Sequence, residues 1–71
     1  MNEVLTLSRE LNQLQAEIKS LREDVVFLQA ARQANPQAAD RATEVRLARI
    51  LQLEEAIQAL RLEALRMSTD R

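Results

Sequence analysis

The sequence predicts an all-α protein: an antiparallel helical hairpin with coiled-coil packing. Two apolar seams, the break between them and the near-absence of turn-forming residues carry this prediction. The first seam is Val4, Leu7, Leu11, Leu14, Ile18, Leu21, Val25 and Leu28, with spacings that alternate between three and four. That is the pattern of a helix burying one stripe against another helix. The second seam is Ile50, Leu53, Ile57, Leu60, Ala64 and Met67. Between them stands Asn35-Pro36, with the only proline of a chain that has no glycine. Such a composition favours long helices and few turns. No segment alternates apolar and polar residues for long enough to suggest a strand.

The first helix is expected over about residues 3–33. Thr6 or Ser8 would cap a later start, but the seam already begins at Val4, so the earlier start is preferred. A turn is expected at about 33–37. Proline disfavours helical dihedrals in the residue before it, and asparagine is a good N-cap. Pro36 suits a first helical position, where its missing N–H costs nothing. The second helix is expected over about 36–67, with a frayed tail at 68–71. Asp40 is an alternative cap that would lengthen the loop. The whole of 1–71 reads as a single helical module.

Phase separates a hairpin from a straight rod. Continued through the break, the first heptad frame would put Arg32, Asn35, Arg46, Arg49 and Glu63 in the seam, which is poor core material. Folding the chain back matches the seams instead. Val4 then faces Met67, Leu7 faces Ala64, Leu11 faces Leu60 and Leu14 faces Ile57, while Ile18 faces Leu53 and Leu21 faces Ile50. The mirror point falls between Asn35 and Pro36. Inward of these pairs the match worsens, with Val25 meeting Arg46 and Leu28 meeting Thr43. Ala38, Ala39, Ala42 and Val45 are expected to supply contacts there with Phe27 and Ala31. Asp24 is expected to face Arg49.

A rival geometry uses the first seam alone in a parallel two-stranded coil. β-Branched Val4, Ile18 and Val25 occupy its a positions and leucines its d positions, the preference of parallel dimers. Its acidic flank of Glu3, Glu10, Glu17 and Asp24 would allow a Glu17–Arg22 bridge between chains.

Composition narrows the function classes. The 71 residues allow one small domain, and a single narrow seam buries little surface per residue, so a homo-oligomer such as a four-helix bundle is expected. The fourteen seam residues are the candidate self-association seam. Phe27, Leu47, Leu51, Leu62 and Leu65 lie off the seams and form the candidate partner-binding set, suited to a heterologous protein presenting an amphipathic helix. With 10 basic and 11 acidic residues the net charge is −1, which disfavours non-specific nucleic-acid binding. Arg41, Arg46 and Arg49 are the candidate nucleic-acid contact. No apolar run is long enough to span a bilayer, and the start lacks the basic-then-apolar order of a secretory signal, so a cytoplasmic protein without membrane association is expected.

Catalysis is not expected. Without His or Cys the chain lacks the usual nucleophile–base pairs and metal ligands, and without Gly it cannot form a glycine-rich phosphate loop. The adjacent carboxylates Glu23-Asp24 and Glu54-Glu55 do not face each other on a helix. No cofactor is expected. The sequence therefore points to a non-enzymatic interaction module, an adaptor, scaffold or small chaperone. The alternative is a small nucleic-acid-binding regulatory homodimer of helical hairpins.

Overall fold

The computed structural model describes residues 2–69, with side chains from 4 to 68. Two helices pack against each other, α1 over Asn2–Ala31 and α2 over Pro36–Thr69, and the described residues contain no strand. The pair measures 57 × 15 × 11 Å between its Cα atoms. A helix rises about 1.5 Å per residue, so the length is that of a single hairpin layer folded once.

The reversal is built without a left-handed residue, for no described residue has positive φ. Leaving the helix at Ala31, the chain makes tight bonds from Arg32 N to Gln29 O (3.3 Å) and from Ala34 N to Ala31 O (3.0 Å). The first helix thus ends two residues before the expected 33. Asn35 must be non-helical ahead of Pro36, and residues 32–34 are spent on turning. Asn35 is the cap of α2: its Oδ1 accepts from Ala38 N at 3.2 Å, and its carbonyl accepts from Ala39 N at 3.1 Å. Asp40, the alternative cap, is instead held by Arg32. Ser68 and Thr69 belong to α2 rather than to a tail, because no breaker follows Met67. Residues 70 and 71 of the expected tail lie outside the described residues.

The core lies at mid-length. Ile18, Ile50, Leu53 and Ile57 are buried, with Leu11, Leu14 and Leu21 packed against them. Each comes from a seam, and residues of both seams pack into one cluster. Toward the turn, Ala39 is buried and Thr43 and Arg46 are half-buried in line with the second seam. The pairing therefore persists where its chemistry is poor. Arg46 fits because its stem can lie along the seam while its head leaves it. The guanidinium donates to Asp24 Oδ2 at 3.3 Å and to the Ala42 carbonyl at 3.2 Å. Two expected contacts fail here: Phe27 and Val45 are 73% and 65% exposed. Both project from the side of the hairpin rather than into the seam.

Candidate interaction surface

Ion pairs fix which flanks meet. On one side of the seam Arg22 Nη2 lies 3.2 Å from Glu54 Oε2. On the other, Arg49 Nε lies 3.0 Å from Glu17 Oε2, and Arg46 takes Asp24. The expected Asp24–Arg49 pairing is thus corrected. Arg46 stands level with Asp24 and captures it, so Arg49 reaches back to Glu17. Glu17 and Arg22, which the parallel coil would join between chains, are each engaged within one chain. Being exposed, such pairs contribute about 0.2–1 kcal/mol each and set register more than stability.

A further ion pair closes the turn. Arg32 grips Asp40 with Nε to Oδ1 at 2.6 Å and Nη2 to Oδ2 at 3.1 Å. That fork holds the Asp40 carboxyl below its ordinary value, chiefly by hydrogen bonding; desolvation opposes this, and the opposite charge of Arg32 adds to it. The Arg32 guanidinium is raised in turn.

Much of the seam assigned to self-association is covered inside one chain. Leu7, Val25, Leu28, Leu60 and Met67 are half-buried within the hairpin, whereas Val4 and Ala64 are exposed. At the open end Ala64 leaves its side of the seam unfilled. A trough of about 830 Å³ runs between Val4, Leu7 and Leu11 on α1 and Ala64 and Met67 on α2, rimmed by Ser8 and Ser68.

The candidate partner-binding residues are all exposed: Phe27 73%, Leu47 51%, Leu51 58%, Leu62 60% and Leu65 62%. They do not form one patch. A shallow groove of about 640 Å³ on the Arg22–Glu54 side is lined by Val26, Lys19, Gln58 and Arg61 over a floor of Ile18 and Ile57. Leu47 stands one heptad before Glu54, and Leu51 and Leu65 stand one heptad on either side of Gln58. All three therefore share that side. Leu5, three heptads before Val26, shares it too. Leu62 sits on the outer face of α2. Phe27 and Val45 lie on the opposite flank. Val45 and Leu5 are exposed apolar residues that the sequence reading did not assign to the surface set. Their heptad positions outside the seam were the available signal.

The candidate nucleic-acid arginines do not converge. Arg46 and Arg49 are bound to Asp24 and Glu17, and Arg41 projects from the outer face of α2. No group of three or more His, Cys, Asp or Glu able to hold a metal ion occurs among the described residues. No described helix is long and apolar enough to cross a membrane. Comparison with known proteins finds no matching family model, no matching curated protein and no matching solved structure.

Proposed function

We propose that this chain is a non-enzymatic protein–protein interaction module, an adaptor, scaffold or small chaperone that also self-associates. The observation that carries the reading is the exposure of large apolar side chains on both flanks of the hairpin. Single exposed leucines are ordinary, but several on one side of a two-helix layer amount to a face without a cover. A partner's amphipathic helix, or another hairpin, supplies the matching stripe. The nucleic-acid alternative has less support, since two of its three arginines are already neutralised by carboxylates of the same chain.

The test compares the wild type with a Leu51→Lys/Leu62→Lys variant. Both positions are exposed, so circular dichroism should show unchanged helicity. Sedimentation velocity at rising concentration should show an assembling wild type. Affinity capture from the native source should retain a protein that the variant loses. A wild type that stays monomeric and captures nothing the variant lacks would overturn the reading.

A further inference from the structure

The hairpin exposes 5890 Å², whereas a compact monomer of 8.1 kDa exposes about 4,500 Å². The excess, roughly 1,400 Å² per chain, exceeds the ~800 Å² that each partner contributes to a standard interface. A second copy has enough surface to cover.

One side of the molecule carries the features such a copy needs. Both rims of the open-end trough, Ser8 and Ser68, stand two heptads from Arg22 and Glu54 and so lie on their side. At the turn end of the same side, Val26, Leu47 and Leu51 make an exposed apolar ridge. A groove with Lys19, Arg22, Glu54, Gln58 and Arg61 in its lining runs along the same side and reaches Val26. A ridge and a trough on one face, at opposite ends, are complementary to the same face turned end for end.

We infer that this face docks a second copy of the chain, antiparallel to the first, about a two-fold axis at the level of Gln15 and Ala56. The inference rests on the interaction-module reading and deepens it by naming the surface and its occupant. Mirror pairing within the hairpin puts Gln15 level with Ala56, so the register follows by counting. Reversal brings Val26 over the partner's Val4 at the trough and Leu47 over the partner's Leu65. Glu54 comes over the partner's Gln58, with the partner's Arg61 one turn away, an opposite-charge contact at the centre. A parallel copy would set ridge against ridge and trough against trough, leaving both troughs open.

The absence of cysteine makes the test clean, since single cysteines can be placed in the full chain without background. Gln15→Cys lies beside the axis and should link to its own copy under mild oxidation. Gln52→Cys should not, because Gln52 accepts from Arg49 on the opposite side. Mixing Leu47→Cys protein with Leu65→Cys protein should give the mixed disulfide. Leu47→Glu should weaken the dimer roughly tenfold or more by sedimentation, with helicity kept.

A dimer that links through Gln52→Cys, or through mixed Val26→Cys and Leu47→Cys proteins, overturns the antiparallel face and leaves the interaction reading standing. So does a chain that stays monomeric yet captures a partner lost in the Leu51→Lys/Leu62→Lys variant. A monomer that captures nothing overturns both.

Discussion

The two ends of the hairpin are held by opposite means. At the closed end the seam chemistry is poor, with Ala39, Thr43 and Arg46 where leucines would serve better. Yet Asn35 caps α2, Arg32 forks onto Asp40, and Arg46 ties to Asp24. At the open end the α1 seam is apolar throughout, yet Val4 is 64% exposed and a trough separates the helices. Heptad spacing decides which stripe turns inward. Whether that stripe is filled depends on the volume of the residue opposite and on how firmly the chain holds the helices together. Near the turn the covalent link keeps the helices in register despite polar seam residues. Far from it, Ala64 is too small to fill the seam beside Leu7, and Val4 stays exposed.

The sharpest way to break this comparison is to remove apolar volume from the middle and from the open end in turn. Leu53, 3% exposed, is the most buried residue of the core. Leu53→Ala should cost about 2–5 kcal/mol through lost transfer energy and a residual cavity. Val4→Ala removes a residue that is already mostly wet and should cost within about 0.5 kcal/mol. Urea denaturation followed by circular dichroism, at one protein concentration, measures both. Comparable losses would mean that the open end is as well packed as the core.

How far the sequence could be read follows the same division. Mirror pairing of the seams located Ile18, Ile50, Leu53 and Ile57, because β-branched and leucine side chains at heptad spacing leave a helix one apolar face. Asn35-Pro36 located the turn, because proline constrains the residue before it wherever it occurs. What spacing could not carry was side-chain reach. Arg46 occupies a seam position by laying its stem inward and its charge outward, which shifted Arg49 from Asp24 to Glu17. Exposure of Val45 also escaped the reading, since its expected contact with Phe27 and Ala31 assumed a turn end wider than one seam. For the surface, Leu47, Leu51, Leu62 and Leu65 stood out as apolar residues off the seam. Their division between two faces, and the trough beside Ala64, needed the register fixed by the ion pairs.

The closed end can be loosened without touching the seam. Asn35→Ala removes the side-chain oxygen that accepts from Ala38 N while keeping Pro36 in place. An N-cap exchange of this kind costs about 0.5–2 kcal/mol. The loss should appear in thermal melts as a lower midpoint with unchanged starting helicity. Hydrogen exchange should localise it, with faster exchange at Ala38 and little change around Leu53. Equal acceleration along the whole of α2 would instead mean that the hairpin opens as one unit, and that its two ends are not separately held.

The smallest effect is the pH dependence of the Arg32–Asp40 fork, and its sign follows from which state binds the proton more tightly. In the folded chain the Asp40 carboxyl is held below its ordinary value by the hydrogen bonds from Arg32. The unfolded chain therefore takes up the proton first as pH falls. The stabilisation is complete above the ordinary carboxylate range and is lost as pH drops through the lowered folded value. Arg32, raised in turn, stays charged throughout and adds no titration of its own in that window. Because both groups are exposed, the effect is modest and salt should weaken it further. Arg32→Gln isolates it, since Asp40 keeps its place in α2 while the fork is gone. Melting of the wild type and of Arg32→Gln should differ at neutral pH and low salt, and the difference should vanish in strong acid. A gap that survives acidification would assign the contribution of Arg32 to the packing of its stem over the turn.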